Sequence, residues 1–163
     1  WLETGDLGYV AGGELYVCGR TKDLIIVNGR NFHPQDIEWQ ASQVEGVRTG
    51  NVIAFSLDDP EAGRERVIVA AETKLAEDKH AALRGQVKAR VLEALALRVD
   101  EIVMLPPGSL PKTSSGKLQR SKAGELFRGA GLGKGGQTGS LGLLKQLASS
   151  RWNFIKSSLR KRS

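Results

Sequence analysis

Cysteine is nearly absent from this chain: Cys18 is the single one in 163 residues. That excludes an internal disulfide, leaves nothing for a cysteine-rich metal site, and favours a reducing compartment. The two histidines, His33 and His80, stand far apart in sequence, so each is expected at the surface rather than in a zinc constellation. No stretch approaches the roughly twenty apolar residues needed to span a bilayer. Nothing resembles a secretory signal, although the chain starts at Trp1 with no initiator methionine and is expected to be a fragment, which would hide one. The default location is cytoplasmic. Acidic residues are missing from the C-terminal end: after Arg128 there are seven basic residues and no acid, whereas residues 1–128 carry 17 basic against 18 acidic. The net charge of +6 therefore belongs to the tail. A nucleic-acid binder would spread cations over its folded body with aromatics between them, and this body is nearly neutral.

Three regions differ in composition, and 163 residues suffice for one modest domain or two small ones. Residues 1–33 are glycine-punctuated. The short β-type runs Glu14–Cys18 and Leu24–Val27, with turns at Gly12-Gly13 and around Arg20 to Asp23, are expected to form a small hairpin. Pro34 suits the first turn of a helix, with Asp36 and Glu38 near its positive end and Ile37, Ala41 and Val44 as its apolar stripe; Gly46 stops it. Strands are expected at Val52–Leu57 and Val67–Ala71, across the acidic turn Asp58–Arg66, and again at Ile102–Leu105. Between them Leu83, Val87, Val91 and Leu95 recur every four residues, predicting an amphipathic helix over about 79–98. A short helix at Ser121–Phe127 completes an α+β order: a small, mainly antiparallel sheet flanked by helices, preceded by a short β-hairpin. From Gly129 onward comes a glycine-rich linker. It leads to a basic amphipathic stretch with Leu144, Leu147, Ala148, Trp152, Ile155 and Leu159 on one face, suited to an anionic membrane, to a partner, or to packing on its own domain.

The stretch LPKTSSGKLQR, Leu110–Arg120, is too polar for a core and too poor in apolar residues for a regular element, so it is a loop. Pro111 restricts its backbone, Thr113, Ser114 and Ser115 offer hydroxyls, Gly116 permits close approach, and Lys117 supplies charge. That composition suits an anion. It is not the phosphate-binding loop motif, because Gly108 lies too far ahead of Gly116 and Leu118 stands where a hydroxyl would hold magnesium.

Three further stretches stand out: Thr4-Gly5-Asp6, Gly19–Asp23 (GRTKD) and Asn28–Glu38 (NGRNFHPQDIE). Singly each is an ordinary turn or a solvated charge. Together and in this order, over roughly residues 1–128, they resemble the C-terminal part of the adenylate-forming superfamily, and most closely the fatty acyl-AMP ligases. Phe32-His33 stands where an aromatic pair is usual, and Trp39 is a departure with no evident meaning.

The resemblance implies ATP-dependent activation of a fatty acid to an acyl-adenylate, with Mg2+ bound mainly by an N-terminal domain. Transfer to the phosphopantetheine thiol of an acyl carrier protein would follow. It places Lys117 as the catalytic lysine, Asp6 as acceptor for the ribose hydroxyls of ATP, and Arg20 near the ribose and phosphates. Lys22 would be the hinge, and Gly29 would lie in the loop that faces the pantetheine channel. Residues 1–21 would end a large N-terminal adenylation domain, 22–128 would be the mobile C-terminal subdomain, and 129–163 the linker and tail. Alone the fragment would be inert. The alternatives are a long-chain acyl-CoA synthetase, with coenzyme A as acceptor, and a non-catalytic module that kept the fold; the presence of Lys117 and Asp6 weighs against the second.

Overall fold

The computed structural model describes residues 2–60, 63–129 and 132. They lie within one compact unit, Trp1–Gly133. The amphipathic stretch at 144–159 lies outside the described residues.

Two separate hairpins open the chain. Strand β1 (Asp6–Ala11) pairs antiparallel with β2 (Glu14–Arg20) around Gly12-Gly13, and β3 (Ile25–Val27) pairs antiparallel with β4 (Arg30–Phe32). The two runs expected to pair with each other thus each have another partner. The cause is local. Asn28 and Gly29 both take positive φ, 51° and 75°, which is the two-residue turn whose twist matches antiparallel strands. That turn folds Ile25–Val27 onto the residues following it. A single 3-10 turn, Thr21–Asp23, joins the hairpins.

Helix α1 (Pro34–Ser42) starts at Pro34, whose missing N–H costs nothing in a first turn. It buries Ile37 and Ala41 fully. Strands β5 (Val47–Asp59), β6 (Arg64–Thr73) and β7 (Glu101–Leu105) form a three-stranded sheet in that order, β5–β6 antiparallel and β6–β7 parallel. The parallel pair needs a long crossover, supplied by α2 (Glu77–Leu95). The helix ends where Ala96 takes a left-handed conformation, φ 49°, its N–H bonded to the Leu92 carbonyl at 2.9 Å. It starts two residues earlier and ends three residues earlier than the span that the periodicity predicts. Helix α3 (Arg120–Arg128) closes the described fold.

The run VIVAA in β6 has no polar alternation because it is buried on both faces. Val67, Val69 and Ala71 pack with Ile37, Leu83 and Val87 in one cluster. Ile68 and Ala70 pack with Phe55, Leu110 and Ala123 in another. The sheet is therefore covered by α1 and α2 on one face. The other face carries α3 and the start of the Leu110 loop.

Arg64 and Asp100 fasten the start of β6 to the end of the crossover. The guanidinium donates to both Asp100 oxygens, at 2.7 and 3.1 Å, and the Val67 N–H donates to the same carboxylate at 2.8 Å. The Arg64 hydrogen bond holds the Asp100 carboxyl below its ordinary pKa against the opposing effect of burial, and the Val67 N–H adds to it. A depressed folded-state pKa contributes stability that is present above the unfolded pKa and lost as pH falls through the folded one. The stability gap between the native chain and Asp100→Asn should be widest above the ordinary carboxylate pKa of about 4 and should close in more acid solution. Urea melts across that range check this; a gap independent of pH would contradict it.

Candidate functional site

The Leu110 loop is a narrow hairpin-like excursion held from within. Lys112 and Leu118 form an antiparallel bridge, Thr113 N–H donates to the Lys117 carbonyl at 2.8 Å, and Gly116 N–H donates to the Thr113 carbonyl at 2.9 Å. The Thr113 hydroxyl accepts the Lys117 N–H at 3.0 Å and lies 3.0 Å from Ser115 Oγ, so it braces the loop rather than facing outward. Gly116 sits at φ 83°, which a side chain would strain. The result fixes the Lys117 backbone. Its side chain is exposed, and among the described residues no hydrogen bond or ion pair engages its ammonium.

Both ends of the loop are anchored on carboxylates. At the entrance, Leu110 N–H donates at 3.0 Å to Oε1 of Glu72, a fully buried β6 residue whose Oε2 pairs with the Arg48 guanidinium. Lys112 Nζ donates to Asn51 Oδ1 at 2.8 Å. At the exit, Arg120 donates from Nε and one terminal nitrogen to the two oxygens of Glu38, at 2.8 and 2.7 Å. Its other terminal nitrogen lies 3.6 Å from Asp23 Oδ2. Burial works against the Arg120 charge, but the hydrogen bonds to Glu38 and the charges of Glu38 and Asp23 outweigh it and hold its pKa above the ordinary value.

The exit anchor is not apparent in the sequence pattern. Glu38, a helix-dipole residue by its place in the sequence, also accepts the Ala54 N–H of β5 at 3.0 Å and so joins α1, β5 and α3. Its partner Arg120 is 82 residues away. Glu72 does leave a signal, as a charged residue continuing the apolar run of β6.

Asp6 and Arg20 face each other as cross-strand partners at the open end of the first hairpin. Arg20 Nε donates to Asp6 Oδ1 at 3.2 Å, and both side chains are exposed. Just beyond, Thr21 N–H donates to the Gly5 carbonyl at 2.9 Å. Lys22 follows in the 3-10 turn, exposed, and lines a cleft of about 260 Å³ with Asp23, Phe55, Arg120, Ser121 and Arg128. Gly29 is at the tip of the second hairpin, and open space surrounds the position a Cβ would take. Turn geometry alone accounts for the glycine there. The structure thus pairs Asp6 with Arg20 and sets Lys22 and Arg120 around one cleft. No hydrogen bond or ion pair joins Lys117 to Asp6, Arg20 or Gly29 among the described residues.

Residues 22–133 match the family described as Disco-interacting protein 2-like, AMP domain. The chain belongs to that family. A long-chain-fatty-acid–AMP ligase, FadD26 of Mycobacterium marinum, is 38% identical over 141 residues, which are 82% of this chain and 23% of that protein. Among solved structures, one from a study of fatty acyl-adenylate ligases of E. coli and L. pneumophila is 40% identical, with a TM-score of 0.69, over 80% of this chain and 23% of that one. The McyG A-PCP structure, complexed with phenylalanyl-adenylate, is 29% identical with a TM-score of 0.72, over 77% of this chain and 23% of that one. The chain spans less than a quarter of the length of these relatives.

Proposed function

We propose that this chain works as the C-terminal part of a fatty acyl-AMP ligase, activating a fatty acid with ATP and passing the acyl group to the phosphopantetheine thiol of a carrier protein. The observation that carries this is the state of Lys117: an exposed ammonium that no described residue engages, on a backbone anchored at both ends, in a family of AMP domains. In acyl-adenylate formation a carboxylate attacks the α-phosphate, and negative charge gathers where two anions meet. A positioned cation between them lowers that barrier, and lysine offers a compact charge on a long stem that can touch both oxygens. Asp6 would accept the ribose hydroxyls of ATP, being an acceptor-only group facing two donors, while Arg20 would lie near the ribose and phosphates. Arg20 holds one Asp6 oxygen and so orients the carboxylate. Mg2+ would be bound mainly by the larger N-terminal domain; among the described residues no group of three or more His, Cys, Asp or Glu could hold a metal ion.

Asp6, with Arg20, and Lys117 stand on opposite sides of Lys22 in sequence and are not joined by any hydrogen bond or ion pair among the described residues. Rotation at Lys22 would bring them to one substrate and later part them, with residues 1–21 moving with the larger domain and 22–128 as the mobile subdomain. Lys22→Pro restricts that backbone. It should impair one half-reaction and spare the other in the full-length protein; equal loss of both with the fold intact would contradict a hinge there.

Charge favours a carrier protein as the acceptor. Coenzyme A brings a phosphorylated nucleotide that needs cations near the Gly29 loop. Arg30 is occupied, its guanidinium 4.9 Å from the Phe32 ring centroid and bonded to the Leu95 carbonyl at 3.5 Å; Arg48 is held by Glu72. Of these three cations, Lys22 is the one with no hydrogen bond or ion pair among the described residues. The full-length protein, given ATP and a set of fatty acids, should transfer the acyl group to a phosphopantetheinylated carrier protein and should release or retain acyl-adenylate with coenzyme A alone. Acyl-CoA formation at a comparable rate would instead make it an acyl-CoA synthetase.

A further inference from the structure

Arg120 is the third residue after Lys117, and its guanidinium reaches three parts of the fold at once. It forms a two-point contact with Glu38 of α1, it approaches Asp23 beside Lys22, and its own backbone begins α3. Glu38 is itself fixed, because its Oε1 also accepts the Ala54 N–H of the sheet. The side chains of Arg120, Glu38 and Asp23 are 24%, 16% and 21% exposed, so solvent screens the group less than it would a surface pair. The planar fork of arginine matches a carboxylate at two points and therefore fixes orientation as well as distance.

We infer that Arg120 is a positioning residue for Lys117: gripped by Glu38 and Asp23, it ties the exit of the lysine loop to α1 and to the residue that follows Lys22, so that the loop and the chain leaving the hinge move as one body. This rests on the proposed role of Lys117. The loop's internal bonds fix its shape, but its place relative to the hinge depends on its two ends. The entrance is tied to the sheet through Glu72, and the exit reaches the hinge turn through Arg120. Loosening the exit would leave the ammonium present and misplaced. A displacement of about 1 Å in a catalytic group can lower a rate about a hundredfold.

The test is a double-mutant cycle in the full-length protein, reading the kcat and KM of acyl-adenylate formation together with the melting temperature. Arg120→Met should lower kcat by about 10- to 100-fold while KM for ATP and for fatty acid changes less than about threefold. Arg120→Lys, which keeps the charge and loses the fork, should recover part of the rate. Lys117→Ala combined with Arg120→Met should be no slower than Lys117→Ala alone, within about threefold, because the second change acts only through the first. Should Arg120→Met not fold, Glu38→Gln serves in the same cycle, since the amide oxygen can still accept the Ala54 N–H. Losses that multiply in the double variant, or a wild-type kcat in Arg120→Met, would overturn the inference. If Lys117→Ala itself leaves adenylation at the wild-type rate, the proposed function falls and the inference with it. A slow Lys117→Ala beside an unaffected Arg120→Met removes the inference alone.

Discussion

Replacing Lys117 by alanine should slow acyl-adenylate formation in the full-length protein by about 10² to 10³, a loss of roughly 3–4 kcal/mol of transition-state stabilisation. In the proposed role the charge would work only where the carboxylate and the α-phosphate meet. Transfer from preformed acyl-adenylate does not pass through that meeting of anions and should be much less affected. Stability should hardly change, because the Lys117 side chain is exposed and engages no described partner, while the loop is held by backbone bonds and the Thr113 hydroxyl. A normal melting temperature with a slow first half-reaction is therefore the expected pair of results. Acetylation of Lys117 removes the same charge and should reproduce it. Near-normal formation of acyl-adenylate in Lys117→Ala would remove the assignment.

Arg48→Met should destabilise the fold by about 3 kcal/mol, the lower end of what breaking a buried ion pair costs. Glu72 has no exposed surface and holds two partners, the Leu110 N–H and Arg48. Without the guanidinium, its carboxylate would stay in the core with one backbone donor. The Arg48 side chain is 35% exposed, and water entering from that side keeps the cost from the upper end of the range. Arg48→Met combined with Glu72→Gln should recover most of the loss, since a neutral amide removes the uncompensated charge and can still accept the Leu110 N–H. Chemical denaturation of the two variants beside the native chain decides it. A loss under about 1 kcal/mol for Arg48→Met, or no recovery in the pair, would show that the carboxylate does not depend on Arg48.

The elements with a strong local period are legible in the amino-acid pattern. The four-residue spacing of Leu83, Val87 and Val91 marks α2, and all three are buried. The unbroken run of β6 marks a strand, and burial on both of its faces is why the run is unbroken. The hairpin pairing is harder to read, because Asn28-Gly29 sits inside a stretch that resembles a functional motif while the same dipeptide is also a strong signal for a two-residue hairpin turn. Strand β1 gives little sign of itself: DLGYVA has no buried face in this chain, so nothing imposes alternation on it. The loop presenting Lys117 is recognisable from composition, whereas its exit anchor is not. The whole sheet and the α2 crossover lie between Glu38 and Arg120 in sequence, and no local pattern records a contact of that range. The hydroxyl of Thr113 shows the same limit, since its inward bond to the Lys117 N–H depends on how the loop closes.

If Lys117 serves adenylation, the reaction it serves is the attack of a fatty acid on ATP. The decisive measurement is exchange of labelled pyrophosphate into ATP by the full-length protein, with and without fatty acid, and with no thiol acceptor present. The expected result is exchange that depends on the fatty acid and proceeds without carrier protein or coenzyme A. A folded, ATP-binding protein that shows no exchange with any fatty acid tested would contradict it.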